Sequence, residues 1–301
     1  MDDPIMNRSP FSLRIFVADG DPDGLRIVER SNWIGKAVVF PRALLPKVKR
    51  REEFNQTGVY LLLGPREDGD GDMLYIGEGD PVRPRLESHY AQKDFWTWAI
   101  FFVAGPGQLN KAHVQFLESK LILRAKSAKR MPLDNANQPG EPTLSEADVA
   151  DMRVFLENVL GILPVLGVHA FEQPRHEGAG RKSLVLTCRG KGVEAKGMET
   201  SQGFVVKADS QAVKEAVPSM KQHVRSMYDT RRDLIENGVL IDNGDHYRFS
   251  QDYVFSSPST ASAVVLGRSA NGRIEWKDGR GRTLKELQTR ETATLGSDYS
   301  L

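Results

Sequence analysis

The sequence predicts an α+β protein, and three observations carry that reading. β-prone apolar runs at residues 59–63 and 73–76 flank a segment dense in Gly, Asp and Pro. Val114, Leu117, Leu121, Ile122 and Ala125 form an apolar stripe at helical spacing. Polar breaks at residues 132–142 and 172–182 divide the chain. With 301 residues, two compact units are expected, and 40% hydrophobic residues can bury a sizeable core.

The elements follow in order. Residues 13–18 and 36–40 read as short strands joined by a Gly/Asp/Pro turn region. Asp19, Asp21, Asp23 and Gly24 imitate the start of a calcium loop, but Arg30 stands where the bidentate Glu is needed, so a turn is expected. Residues 41–53 form a basic connector: a solvated linker or a phosphate-contacting patch. The runs at 59–63 and 73–76 make a β-hairpin with Asp68 and Asp70 at its exposed tip. Pro81 and Pro84 sit in the first turn of a helix that reaches about residue 91. Residues 95–103 are a third strand, and Asn110 can cap a helix over 111–126. Beyond the first break, residues 146–163 are helical. After the second come two strands about a Gly-rich turn, a long helix at 211–236, a hairpin, a short helix after Ser257 and two closing strands. The tail past Arg290 is expected to fray.

Charge and cysteine content narrow the function. A net charge of +1 gives no global attraction to nucleic acid, so any anion site is local. The lone Cys188 excludes an internal disulfide and fits a reducing, cytoplasmic setting. Residues 1–10 carry no signal-peptide h-region. The longest apolar stretch, 159–168, spans about half a bilayer and contains Pro164, so no membrane partner is expected.

The candidate chemistry lies between residues 57 and 138. Glu118 falls inside the apolar stripe of its helix, where a carboxylate needs an ion-pair partner or a ligand. Arg85 and His89 lie one helical turn apart and can point into one site. Taken singly, His89 can be a satisfied core histidine, Arg85 a structural partner of Glu118, and Tyr60 and Tyr75 core aromatics.

The combination is more specific. Gly58-Val59-Tyr60, Tyr75-Ile76-Gly77, Arg85, His89 and Glu118 occur in the order and spacing of a GIY-YIG nuclease domain, which residues 57–135 resemble. Val59 replaces the Ile of the first motif. The resemblance implies a small nuclease domain, with a three-stranded antiparallel sheet flanked by helices, over residues 56–138. Around it are expected an N-terminal β extension and basic linker (1–55), a helical connector (139–180) and a C-terminal α+β domain (181–301). It further implies metal-dependent cleavage of a phosphodiester in DNA, with RNA or single strands as alternative substrates. Glu118 would hold one Mg²⁺ or Mn²⁺, Arg85 a phosphate oxygen, and a tyrosine, Tyr60 ahead of Tyr75, would take or align a proton of the attacking water. His89 would relay a proton or support a tyrosine. The family's later Asn corresponds to Asn135 or Asn137, with Asn135 preferred. Lys120, Arg124, Lys126, Lys129 and Arg130 could line a strand-binding face or simply a solvated helix.

The region behind it, with Ser257-Pro258-Ser259 and Asn271-Gly272, resembles an uncharacterised domain that often follows GIY-YIG domains. Ser257 or Ser259 can cap a short helix, and Asn271-Gly272 suits a tight hairpin turn. The resemblance suggests target recognition, with Arg225, Arg231, Arg232, Arg268 and Arg273 available for phosphates; a scaffolding or dimerisation role is the alternative. Together these features point to an endonuclease of restriction, phage defence or mobile-element biology. The rival expectation is a catalytically silent binding module with a nuclease fold.

Overall fold

A computed structural model describes residues 10–66, 71–173 and 184–297, with side chains through Arg290. The chain divides into two compact units, Met1–Glu172 and Gln173–Leu301. Asp68, Asp70 and most of the break at 172–182 lie outside the described residues.

The first unit is built on one antiparallel sheet. Its strands are β1 (Leu13–Val17), β2 (Arg26–Arg30), β3 (Lys36–Pro41), β4 (Gly58–Pro65), β5 (Asp72–Gly79) and β6 (Trp98–Val103). Their order across the sheet is β1-β2-β3-β6-β4-β5. The three strands expected from the resemblance are therefore one half of a six-stranded sheet, with β5 at its edge. The N-terminal region is not an appendage, because β3 pairs with β6 along its whole length, from Lys36↔Val103 to Pro41↔Trp98. The turn region expected before β3 holds β2, whose Ile27 and Val28 are buried. The acids ahead of it cap turn N–H groups: Asp19 Oδ2 accepts from Leu25 and Asp21 Oδ1 from Asp23.

Both faces of this sheet are covered, which is why β4 is an unbroken apolar run rather than an alternating one. On one face, Val59, Leu61, Ile76 and Phe102 pack against α3 (Lys111–Ala128) and α4 (Glu146–Ile162). Met152, Phe155, Val159 and Ile162 of α4 belong to that core, so the expected connector is, as far as Glu172, part of the first packed unit. On the other face, Tyr60, Leu62 and Phe101 meet α1 (Leu45–Val48), a 3-10 turn at Glu52–Asn55 and α2 (Val82–Gln92). The basic connector is thus anchored by Leu45, Val48 and Phe54, all buried. Asn110 caps α3 as its sequence suggests, its Oδ1 accepting from the His113 N–H at 2.9 Å.

The second unit has a four-stranded sheet, in the order β13-β9-β8-β7, and a three-stranded one, β10-β12-β11. The strands are β7 (Leu186–Gly190), β8 (Val193–Thr200), β9 (Gly203–Val206), β10 (Gln211–Val213), β11 (Leu240–Asp242), β12 (His246–Phe249) and β13 (Tyr253–Phe255). The long helix expected at 211–236 is instead β10 followed by α5 (Pro218–His223) and α6 (Arg225–Glu236). Pairing with β12 claims Gln211–Val213 as strand, and Pro218, which has no N–H, can open a helix but not continue one.

The two expected closing strands are helices, α8 (Gly272–Glu275) and α9 (Leu284–Ser297), so the chain past Arg290 continues α9. A reciprocal cap starts α9, Thr283 Oγ1 accepting from Glu286 N–H and Glu286 Oε2 from Thr283 N–H.

Candidate active site

Strand register brings the two tyrosines together. In the β4–β5 pair Tyr60 lies opposite Gly77 and Leu62 opposite Tyr75, so both rings rise from the same face, on neighbouring strands. They stack with centroids 6.2 Å apart and 28° between planes. Gly77 has a steric role, since a Cβ there would lie 2.3 Å from Tyr60 Oη. The glycine of the second motif makes room for the tyrosine of the first.

Helix α2 crosses over this face and delivers His89 and Arg85, one turn apart. His89 is buried, its Nε2 2.8 Å from Tyr60 Oη and its ring 4.8 Å from that of Tyr75. Burial, helped by the positive charge of Arg85 and Lys93, pushes His89 down to about 4, so the ring is neutral at pH 7. Arg85 is exposed and donates a hydrogen bond to Tyr60. Tyr60 is fully buried, and burial beside Tyr75 pushes its hydroxyl upward. That bears on the expectation that Tyr60 leads as proton acceptor: it is the more enclosed of the pair, whereas Tyr75 keeps partial access to solvent.

Glu118 comes from α3 and feels the charge of Glu78, near the end of β5. Burial and then the Glu78 carboxylate push Glu118 up to about 7, against the pull of Arg85 and Lys111. Glu78 itself was not anticipated from the sequence. Lys111 Nζ holds its Oε1 at 2.6 Å, while its Oε2 is buried without a hydrogen-bond partner among the described residues. A hard divalent cation fits this donor set, because it would compensate a half-buried carboxylate that is costly to ionise alone. The described residues contain no group of three or more His, Cys, Asp or Glu that could hold a metal. A cation held through Glu118 would therefore keep several waters, as Mg²⁺ does.

The remaining expected residues take other places. Asn135 forms two hydrogen bonds with the Ile76 backbone, Oδ1 accepting at 3.0 Å and Nδ2 donating at 2.7 Å. It closes the free edge of β5 beside Tyr75, while Asn137 is exposed. The basic run on and after α3 ties neighbouring segments down. Lys120 meets Glu141 at 2.7 Å, Arg124 the Phe171 carbonyl at 3.3 Å and Lys126 the Gln138 side chain at 3.5 Å. Arg130 meets Glu172 at 3.6 Å, and Lys129 is the left-handed cap of α3.

In the second unit the Ser-Pro-Ser and Asn-Gly motifs interlock. Ser257 caps α7 (Pro258–Leu266), accepting from the Thr260 N–H at 3.1 Å. Ser259 Oγ accepts from Gly272 N–H at 3.1 Å, and Trp276 Nε1 donates to the Pro258 carbonyl at 3.0 Å. A Cβ on Gly272 would sit 2.1 Å from the Pro258 backbone, so only glycine permits this approach. Asn271 caps α8 rather than turning a hairpin, its Oδ1 accepting from Arg273 N–H. Arg231 is buried and spends its guanidinium on the Val264, Val213 and Lys214 carbonyls, which withdraws it from any phosphate. Arg268 pairs with Glu275 at 2.8 Å, and Arg273 Nε donates to Gln288 at 2.9 Å. Arg225 and Arg232 lie on α6, 3.7 Å from Asp229 and 3.4 Å from Glu236.

The fold and site define a mixed α+β protein with a cluster of two tyrosines, an arginine, a histidine and a glutamate. Residues 186–288 match the family model of a domain of unknown function, DUF4357. That match covers β7 through the first turns of α9, and so the interlocked motifs. No curated protein and no solved structure matches the chain. No helix among the described residues is long and apolar enough to cross a membrane.

Proposed function

We propose that the first unit is a metal-dependent endonuclease of the GIY-YIG kind, hydrolysing phosphodiester bonds in DNA. One observation carries the reading: Tyr60, Tyr75, Arg85 and His89, from three elements, meet on the β4–β5 pair, and Glu118 of α3 is near enough for its charge to act on Tyr60 and for that of Arg85 to act on it. Ion pairing alone explains neither the stacked tyrosines nor a half-buried Glu118 beside a second carboxylate.

In this reading the exposed Arg85 grips a phosphate oxygen and offsets negative charge that grows in the transition state. Glu118 would hold Mg²⁺ or Mn²⁺, which when bound polarises the scissile phosphate and stabilises the leaving oxygen. A tyrosine hydroxyl aligns the attacking water, or as the phenolate takes its proton. Neutral His89 holds Tyr60 in place. The DUF4357 domain would target or regulate the cut, in the cytoplasm and in the service of restriction, phage defence or mobile elements.

The test is cleavage of supercoiled, linear and single-stranded DNA and of RNA, with Mg²⁺, with Mn²⁺ and with chelator. Metal-dependent cutting is expected, reduced at least ~100-fold in Glu118→Gln and in Arg85→Ala. Cutting that survives both substitutions refutes the site. Binding without cutting on any substrate replaces the reading with that of a silent nucleic-acid-binding module.

A further inference from the structure

We infer that Lys93 is a positioning residue for Tyr75, the more solvent-accessible tyrosine of the pair; the inference rests on the nuclease reading above. Lys93 closes α2, its backbone N–H donating to the His89 carbonyl at 2.9 Å. Its ammonium stands over the Tyr75 ring, 4.6 Å from the centroid, and is 2.5 Å from Asp134 Oδ2.

Asp134 is itself fixed to the strand that carries Tyr75. Its N–H donates to the Leu74 carbonyl at 2.9 Å, and Leu74 N–H donates to the Pro132 carbonyl at 3.0 Å. Next along, Asn135 takes both backbone groups of Ile76. Residues 132–135 therefore clamp Tyr75 from both sequence neighbours, Leu74 and Ile76. Lys93 extends the clamp from the backbone to the ring. The Tyr60 and His89 rings pack on Tyr75 at 6.2 and 4.8 Å, so the ring is held by an aromatic stack and a cation together.

Placing a hydroxyl beside an attacking water tolerates little error, since misplacement by about 1 Å costs on the order of 10²-fold in rate. Lys93 acts through Tyr75 and need not touch the phosphate. Its removal therefore lowers turnover while leaving substrate binding alone.

The experiment measures single-turnover DNA cleavage with Mn²⁺ by the full chain and by Lys93→Met, Lys93→Arg, Asp134→Asn, Tyr75→Phe and the double variant Lys93→Met/Tyr75→Phe. The expected result is a kcat about 10- to 100-fold lower in Lys93→Met with KM little changed. Lys93→Arg restores most of it, and Asp134→Asn gives a smaller loss. In the Tyr75→Phe background, Lys93→Met adds nothing, as for two residues acting as one unit. If wild type cuts and Lys93→Met has full kcat, or its loss persists beside Tyr75→Phe, the inference falls and the nuclease reading stands. If wild type cuts nothing, the nuclease reading falls and takes this inference with it.

Discussion

Replacing Glu118 with Gln should stabilise the metal-free protein at alkaline pH, although it removes a charge that faces Arg85 and Lys111. The Glu118 carboxyl is pushed from its ordinary 4.5 to about 7 by burial and by Glu78. A raised carboxyl pKa means that the folded chain binds a proton more tightly than the unfolded one. Glu118 thus imposes no penalty below about 4.5, one that grows as pH rises from about 4.5 to about 7, and a constant one above that. Taken whole, that shift is worth roughly 3 kcal/mol. Glu118 keeps some solvent contact, so screening reduces this to about 1–1.5 kcal/mol. For a unit of this size the corresponding rise in Tm is roughly 3–5 °C.

The assay is thermal unfolding in chelator at pH 5 and pH 8, followed by tryptophan fluorescence, since Trp33, Trp96 and Trp98 of the first unit are three of the chain's four tryptophans. Glu118→Gln should match wild type at pH 5 and exceed it at pH 8. Adding Mn²⁺ should raise the wild-type Tm and leave the variant where it was. A variant no more stable than wild type at pH 8 would show that Arg85 and Lys111 already satisfy the carboxylate, and the argument for a cation there would fail.

Three further outcomes are expected. Gly77→Ala sets a Cβ 2.3 Å from Tyr60 Oη, so the ring must shift off His89; a cost of about 1–3 kcal/mol should appear in the unfolding midpoint. Asn135→Ala removes both bonds to Ile76, and amide exchange at Ile76 should speed up with a loss of ~1–2 kcal/mol; lost cleavage with unchanged exchange would instead make Asn135 a substrate contact. Arg231→Met leaves three carbonyls of the second unit without their donor, and urea unfolding of that unit in the full chain should show a lower midpoint and a stability loss of about 2–3 kcal/mol, whereas an unchanged midpoint would refute the capping role.

Much of the first unit was legible because its signals are local. The hairpin strands, the capped α3 and the Pro-led α2 each follow from a few adjacent residues. β2 was missed because the Gly and Asp cluster before it reads as a turn that never ends. In the second unit Gln211–Val213 became strand only through pairing with β12, and the closing helices escaped notice although the Thr283–Glu286 cap is written in the sequence.

The five candidate residues were nominated because their order and spacing resemble a GIY-YIG domain; the helical period added that Arg85 and His89 lie one turn apart and that Glu118 falls in an apolar stripe. By itself the sequence determined the α+β class, the tyrosine strands, the Arg85–His89 turn and the anomalous Glu118. Only the tertiary structure decided that Tyr60 is sealed while Tyr75 is partly accessible, that Gly77 makes room for the Tyr60 hydroxyl, and that the charge of Glu78 acts on Glu118. It also decided that Asn135 grips a strand edge and that α4 belongs to the first core. Each of these depends on which strands lie side by side and which helix covers them, and no local period encodes that.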